Sequence, residues 1–259
     1  MTARLIAHLG FHKTGTKSVQ KTLQANRDIL DGHLHITLRA DMHALCEATR
    51  AWSASRKPVD LAYVRYEAAE LLAGWQDDVP MLISSEDLSG HMPGRRGLTT
   101  YDAAPQLAEA LVSAWTAARP DMDVTLVYTT RAPDPWLRSC HTQHLRAIRI
   151  KRSAQEYADT YARSADFDEI IADVRRRRPD VAVEEQKLEQ SANLTLGPLD
   201  PILDLTGLPP SVRTRIRPQP RANVGMPQAA RDAVLALNRS DLKGDAYRAA
   251  RKALKKQHG

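Results

Sequence analysis

The chain has 259 residues, a formal net charge of +6 at pH 7 and two cysteines. This length is ample to bury a core and indicates one large α/β domain over residues 1–259, with or without a helical appendage. Cys46 and Cys140 lie far apart without a CxxC or His-rich pattern, which argues against a disulfide framework or a structural zinc site and fits a reducing compartment.

The positive charge is spread along the chain, so it fits an anionic ligand and an ordinary basic surface equally well. The first apolar run, about seven residues long, is too short for a signal sequence, and no segment approaches the ~20 apolar residues of a membrane span. The arginine run at residues 175–178 lacks the interleaved aromatic residues of a nucleic-acid patch. We therefore expect a cytoplasmic protein with no membrane span and no nucleic-acid partner.

The first predicted element is an apolar strand from Arg4, which enters a Gly/Thr/Lys turn and then a helix reaching Leu23. Gly15 allows backbone N–H groups to approach an oxyanion, and the helix start adds its positive end. Five side chains supply further donors: Lys13, Thr14, Thr16, Lys17 and Ser18. The stretch predicts an anion-binding loop, although such a turn can also simply end a buried strand.

The loop is a near miss to the phosphate-loop pattern G-x-x-x-x-G-K-[ST] of nucleotide triphosphate enzymes. Gly10 and Gly15 have the required spacing, but Thr16 follows them instead of lysine. Aligning Lys17 with the lysine of the pattern places Phe11 and Thr16 on the two glycine positions. Neither alignment satisfies the pattern.

The segment HKTGTKS at residues 12–18 resembles the 5′-phosphosulfate-binding loop of the sulfotransferase superfamily, roughly strand, P-K-[ST]-G-T-[TS], helix. One departure is Lys17, which stands where the family usually has a second Thr or Ser. Lys17 either reaches the 5′-phosphate or points to solvent. The second outcome would weaken turnover and would indicate a member that only binds nucleotide.

After this helix, residues 33–38 predict a short strand. Apolar residues then recur at helical spacing over residues 41–52 and 59–75. Trp52 and Trp75 belong to these patterns. We expect both tryptophans to pack in the core or in a lid.

The apolar segment at residues 81–84 predicts a buried strand, and Glu86 follows it within a Ser-Glu pair. Ligands of open parallel sheets bind beyond the carboxyl ends of strands, so Glu86 is expected to face the same crevice as Lys13. Bacterial sulfotransferases with a Lys-Thr-Gly-Thr loop commonly show a similar pair, and several branches use Glu as general base. The resemblance thus implies Glu86 as the base. Asp87 and His91 lie nearby in the sequence and are the substitutes to test next. The alternative is that Glu86 caps a short helix or is a solvated loop acid.

A helix predicted over Ala104–Ala118 precedes a second strand, loop and helix that begin at Val124. This unit resembles the family's 3′-phosphate motif, R-[ND]-P-x-[DE]-x-x-x-S, with Arg131 and Ser139 at the family's spacing of eight. A guanidinium can bond two phosphate oxygens at once, and a Ser hydroxyl near a helix start adds a donor. Two such motifs in the expected order are far more specific than either alone.

His141 and His144 lie three residues apart on the helix predicted after Arg131. They could contact a substrate or share a metal ion, but no third ligand is apparent in the sequence. Solvated helical histidines are the safer interpretation.

The rest of the chain predicts further helices and one strand. Capping boxes are predicted at Ser153–Glu156 and Asp166–Glu169. The remaining elements are a strand at residues 181–183, a short helix at 200–207, and helices at 227–238 and 241–256. The Pro- and Arg-rich stretch at residues 209–225 predicts a surface loop. In the superfamily a basic C-terminal loop often folds over the cofactor, and Arg221 is a candidate for such a contact.

The resemblance implies a nucleotide-kinase-like three-layer α/β/α fold with a mainly parallel sheet of four or five strands. It also implies transfer of a sulfuryl group from 3′-phosphoadenylyl sulfate (PAPS) to a hydroxyl or amine of a small-molecule or carbohydrate acceptor. No metal is needed in principle, because Lys13 and the loop amides would neutralise the charge on the leaving oxygen. An ATP-dependent small-molecule kinase and a non-catalytic nucleotide-binding protein are the alternatives. The incomplete phosphate-loop pattern and the Arg131/Ser139 pair argue against the kinase.

Overall fold

The centre of the protein is a sheet of five parallel strands. The structure, a computed structural model, describes residues 3–75, 79–220 and 225–258. In the order β2-β3-β1-β4-β5, the strands are β1 (Arg4–His8), β2 (His35–Leu38), β3 (Met81–Ser84), β4 (Asp123–Thr130) and β5 (Ala182–Lys187). The predicted α/β fold with a parallel sheet is therefore confirmed.

Helices connect the strands and follow the last one. They are α1 (Thr16–Ala25), α2 (Arg27–Leu30), α3 (His43–Ser55), α4 (Pro58–Glu70), α5 (Ala104–Ala118), α6 (Pro133–Ala147), α7 (Ala154–Tyr161), α8 (Phe167–Arg177), α9 (Leu188–Ser191), α10 (Asp200–Asp204), α11 (Pro210–Arg213), α12 (Gln228–Arg239) and α13 (Gly244–His258). Short 3-10 helices occur at Glu86–Ser89, Ala162–Ala165 and Gly197–Leu199. In the described part of the chain, no helix combines the length and apolar character needed to cross a membrane.

The alternation of side chains along the strands divides the core into two layers. Leu5 and Ala7 of β1 face the larger layer, which also contains buried residues of α3 to α8. Ile6 faces the smaller layer, which contains buried residues of α1, α2, α10 and α11. Trp52 and Trp75 are buried in the larger layer, as predicted.

One of the two predicted capping boxes is complete. The Ser153 hydroxyl accepts a hydrogen bond from the Glu156 N–H at 3.2 Å, and Glu156 Oε2 accepts one from the Ser153 N–H at 2.6 Å. At the start of α8, the Asp166 carboxylate accepts from the Glu169 N–H at 3.2 Å, but Glu169 does not reciprocate. Asp166 therefore caps α8 alone.

The carboxyl ends of all five strands lie along one edge of the sheet, because the strands are parallel. The loop Leu9–Gly15 follows β1 there, the 3-10 helix Glu86–Ser89 lies just beyond β3, and Arg131 follows β4. The predicted site residues are thus delivered to the same edge, where ligands of such folds bind.

Candidate active site

The loop after β1 presents a row of free backbone donors. Among the described residues, none accepts a hydrogen bond from the five consecutive N–H groups of Lys13–Lys17. The preceding N–H groups are different, because Phe11 donates to Thr14 Oγ1 and His12 donates to the Tyr101 hydroxyl. Five adjacent free donors at a helix start form a concave site for an anion.

The backbone of this loop takes conformations that position the free donors. Lys13 has a φ of 71° and Gly15 a φ of 110°, both in the left-handed region that residues with a Cβ rarely adopt. Gly10 also has a positive φ, and a Cβ there would lie 2.8 Å from Thr16 Oγ1. The close approach of the Gly10 backbone to Thr16 therefore needs glycine.

The two threonine hydroxyls of the loop have different environments. Thr14 Oγ1 donates to the Phe11 carbonyl at 2.6 Å and lies 2.8 Å from Thr129 Oγ1, so this hydroxyl is used inside the protein. Thr16 Oγ1 is buried and has no hydrogen-bond partner among the described residues. A buried, unpaired hydroxyl beside five free N–H groups fits an oxyanion, which would supply the missing acceptor.

A buried polar network supports the loop from below. His8 Nδ1 lies 2.8 Å from Ser84 Oγ, and His8 Nε2 lies 3.1 Å from Thr129 Oγ1, which in turn contacts Thr14. Burial lowers the pKa of His8 to about 3, so the ring is neutral at physiological pH. The network joins β1, β3 and β4 to the loop. The sequence offered one signal for it, a histidine within an apolar strand.

Acidification is expected to destabilise the protein through His8. Below about pH 6.5 the histidine of the unfolded chain binds a proton that the folded state excludes down to about pH 3, so the free energy of unfolding falls as pH falls through this window. His8 should contribute at most about 1.4 kcal/mol per pH unit. Denaturant unfolding of the wild type and His8→Gln between pH 7 and 4.5 measures the difference. Parallel stability curves for the two proteins would contradict the expectation.

Aromatic residues clamp the loop from the side. Trp136 Nε1 donates to the His12 carbonyl at 2.7 Å, while the Tyr101 hydroxyl contacts both the His12 N–H and, at 3.0 Å, His12 Nδ1. Phe11 stacks on Phe167 with ring centroids 4.6 Å apart. The loop is therefore anchored through its carbonyl groups and apolar side chains. The N–H groups of Lys13–Lys17 stay free.

Cationic side chains of the two predicted motifs meet at this loop. Arg131 Nη1 lies 3.5 Å from the Lys13 carbonyl oxygen. Burial lowers the pKa of Lys13, and the charges of Arg146, Arg131 and Lys17 lower it further against an opposing effect of Cys140. Like charges accumulate here, so an anionic ligand would relieve their repulsion.

The remaining predicted donors lie on the helices that flank the loop. Lys17 is exposed and Ser18 is half-buried in the first turn of α1. Ser139 is half-buried in the second turn of α6, and its hydroxyl bonds to no other described residue. Arg221 lies outside the described residues.

Arg131 also lines a cleft of about 540 Å³ between the ends of β4 and β5 and the start of α8. Phe167 provides an aromatic wall of this cleft. Two carboxylates also line the cleft, those of Glu185 and Glu189. Glu185 accepts a hydrogen bond from the Thr130 hydroxyl at 2.8 Å, and Glu189 accepts one from the backbone N–H of residue 132 at 3.0 Å. The cleft thus combines an aromatic surface, hydrogen-bond acceptors and the Arg131 cation.

Glu86 is the first residue of the 3-10 helix beyond β3, and it does not cap that helix. Ser85 is the cap, because its hydroxyl accepts from the Asp87 N–H at 3.2 Å. The half-buried Glu86 carboxylate instead accepts from Gln20 Nε2 at 3.2 Å, and the same amide donates to the Ser84 carbonyl at 3.0 Å. Glu86 is therefore oriented by α1, the helix that carries the free N–H groups at its start.

The buried carboxylate of Asp87 contacts three basic side chains. Arg39 Nε lies 2.6 Å from Oδ2, Arg50 Nη1 lies 3.5 Å from Oδ2, and His12 Nε2 lies 3.5 Å from Oδ1. Burial alone would raise the pKa of Asp87, but hydrogen bonds and charges from His12 and Arg39 lower it to about 2. Such a carboxylate is a weak base, so Asp87 is a poor substitute for Glu86. Burial lowers the pKa of His91, which keeps that ring neutral.

The prediction of solvated histidines on α6 is wrong. His141 and His144 are both buried. His144 Nδ1 lies 2.9 Å from the Tyr157 hydroxyl, and His141 Nε2 lies 2.9 Å from the Arg152 carbonyl. Helix α7 covers this face of α6, and helical spacing alone could not show that a polar face is covered. Within the described ranges, no group of three His, Cys, Asp or Glu residues could hold a metal ion.

Comparison with protein families gives a match over most of the chain. The family model described as a sulfotransferase domain matches residues 5–193, which is more than half of the chain and includes both loop motifs. No curated protein matches the chain.

Proposed function

Because the chain belongs to the sulfotransferase domain family, we propose that it transfers a sulfuryl group from PAPS to a hydroxyl or amine of a small-molecule or carbohydrate acceptor in the cytoplasm. Family membership supports sulfotransfer in general. The observation that carries the choice of donor is the row of five free N–H groups at Lys13–Lys17 together with Arg131, which contacts the Lys13 carbonyl of the same loop. This arrangement suits a ligand with two separate anionic groups.

The donor would be held at three places. The N–H groups of Lys13–Lys17 and the unpaired Thr16 hydroxyl would bind the 5′-phosphosulfate, with Lys17 and Ser18 at its edge. Arg131 and Ser139 would bind the 3′-phosphate. The cleft lined by Phe167 would accept the nucleoside, because it offers an aromatic surface next to Arg131.

The proposed reaction is a direct displacement at sulfur. The acceptor oxygen or nitrogen forms a bond to sulfur while the bond from sulfur to the 5′-phosphate oxygen breaks, and Glu86 takes the proton of the acceptor. Negative charge grows on the leaving phosphate oxygen. The free N–H groups are part of an anchored backbone, so they would stabilise this charge without rearranging, and the Lys13 ammonium would add a full positive charge.

The donor assignment is tested by ligand-induced stabilisation. We expect adenosine 3′,5′-bisphosphate to raise the melting temperature more than AMP or ATP, since a ligand at ~100 times its dissociation constant contributes about 2.7 kcal/mol. Arg131→Ala should weaken bisphosphate binding by about 2–4 kcal/mol, the usual loss for a buried charge pair, and leave AMP binding almost unchanged.

Arg65→Ala is the matched control, because Arg65 is an exposed arginine of α4, away from both motifs. It should leave binding of both nucleotides unchanged. Equal stabilisation by bisphosphate and AMP would remove the 3′-phosphate from the proposal. Stronger stabilisation by ATP would favour the kinase alternative.

A further inference from the structure

The side-chain amide of Gln20, on α1, bonds to two acceptors at the carboxyl end of β3. Its Nε2 atom donates to the Ser84 carbonyl at 3.0 Å and to Glu86 Oε2 at 3.2 Å. A carbonyl oxygen and a carboxylate can only accept, so the amide nitrogen, with its two hydrogens, must face them and the amide oxygen must not. Gln20 is therefore a fork between the last residue of β3 and the first residue of the 3-10 helix beyond it.

The Ser84 carbonyl is a fixed point of the sheet. Ser84 is fully buried, and it pairs with His8 of β1 and Leu38 of β2 in the parallel register. Its hydroxyl lies 2.8 Å from His8 Nδ1, and the next N–H, that of Ser85, donates to the His8 carbonyl at 3.1 Å. The bond to this carbonyl therefore fixes the amide that points at Glu86.

The backbone of Gln20 is fixed by the packing of α1. Its neighbour Val19, and Leu23 one turn after Val19, are fully buried in the smaller layer of the core. Thr16, whose buried hydroxyl has no partner among the described residues, lies four residues before Gln20 and therefore on the same face of the helix. Four residues advance an α-helix by about 6 Å. The proposed sulfate site and the residue that holds Glu86 are thus one turn apart on one rigid element.

The Glu86 carboxylate depends on this one contact for its orientation. It is half-buried, and no other described residue donates a hydrogen bond to it or forms an ion pair with it. The bond engages Oε2, so Oε1 stays free to take a proton. The amide is also neutral, in contrast to Arg39 and Arg50, which pair with the neighbouring Asp87. Gln20 therefore orients a carboxylate without adding the positive charge that would make it a weaker base.

We propose that Gln20 is a positioning residue for sulfuryl transfer, which aims Glu86 Oε1 at an acceptor bound beside the loop Lys13–Lys17. This inference rests on the proposed function for the identity of the reaction. The proton of the acceptor passes to Glu86, and Gln20 neither gains nor loses one. A reacting group misplaced by about 1 Å can lose on the order of 100-fold in rate. The bond from Gln20 should therefore affect turnover far more than it affects nucleotide binding.

The substitution Gln20→Met tests this role, because it removes both donors but keeps the length of the side chain and its preference for a helix. We expect it to lower the transfer rate at saturating PAPS and acceptor by about 10- to 100-fold. Its affinity for adenosine 3′,5′-bisphosphate should stay within about twofold of the wild type. Gln20→Asn, whose amide is one methylene shorter, should also lower the rate. Gln24→Met, the same change at an exposed position one turn further along α1, is the matched control and should leave rate and affinity unchanged.

The same substitution in a Glu86→Gln background separates positioning from a general structural effect. Without the base there is nothing for Gln20 to aim, so Gln20→Met should lower the remaining rate by less than about twofold. An equal loss of rate in both backgrounds would overturn the inference. A wild-type rate for both Gln20→Met and Gln20→Asn would overturn it as well.

Crystal structures of the wild type and Gln20→Met, each with adenosine 3′,5′-bisphosphate, make the test independent of turnover. We expect the Glu86 carboxylate to leave its wild-type position in the variant, and an unchanged carboxylate would contradict the inference. If the carboxylate moves but the wild type transfers no sulfuryl group from PAPS, the proposed function fails while Gln20 remains the residue that holds Glu86.

Discussion

Replacement of Glu86 by glutamine should lower the rate of sulfuryl transfer by roughly 10²–10⁴-fold, the usual contribution of a positioned general base. Glutamine keeps the size of the side chain and can still accept a hydrogen bond from Gln20, but it cannot take the acceptor proton. The rate is measured as acceptor-dependent release of adenosine 3′,5′-bisphosphate from PAPS, with hydroxyl- and amine-bearing small molecules and carbohydrates as acceptors.

Stability and nucleotide binding serve as controls for this variant. Ser85, and not Glu86, caps the 3-10 helix, so Glu86→Gln should escape the 0.5–2 kcal/mol loss typical of a removed cap. Bisphosphate affinity should also stay near that of the wild type. If Glu86→Gln transfers at the wild-type rate, the base is another group, and neutral His91 is the next to test.

Replacement of Lys13 by alanine should lower the transfer rate by roughly 10²–10³-fold, as expected for a donor to the charge that develops in the transition state. Ground-state binding of bisphosphate should weaken less, because the five free N–H groups of Lys13–Lys17 remain after the side chain is removed. The two effects are separated by comparing single-turnover rates at saturating PAPS with calorimetric affinities.

Lys17→Ala is the matched control for Lys13→Ala. Lys17 is an exposed lysine four residues after Lys13 in the same segment, and its replacement by alanine removes the same charge. We expect a small decrease in affinity and little change in rate. If Lys13→Ala loses affinity without losing rate, Lys13 is a binding residue. The backbone amides would then stabilise the charge on the leaving phosphate oxygen without it.

The sequence predicted the fold well because its strands and long helices carry strong local signals. The strand at residues 81–84 and the helix Ala104–Ala118 have the bounds that were predicted from their apolar patterns and flanking turns. The helix predicted over residues 59–75 ends at Glu70, where Gly74 and its neighbours form turns. Apolar spacing continued beyond that point, but glycine is a poor helix former.

The sequence predicted the site only as far as local motifs reach. It indicated the loop at Lys13–Lys17 and the Arg131 motif, since each is a contiguous pattern beside a strand. It could not indicate that the Thr14 hydroxyl is used internally or that Arg39 neutralises Asp87, because those partners come from distant segments. The burial of His144 was missed for the same reason.

The way the loop is anchored has a consequence for the speed and selectivity of ligand capture. Trp136 fixes the His12 carbonyl, Thr129 fixes the Thr14 hydroxyl and Phe167 packs on the Phe11 ring. The conformational entropy of the loop is therefore already lost when the chain folds. A ligand that arrives finds the donors in position and does not have to order them. Its association should therefore be limited by diffusion and by the local positive potential, and differences in residence time should decide which nucleotide the protein retains.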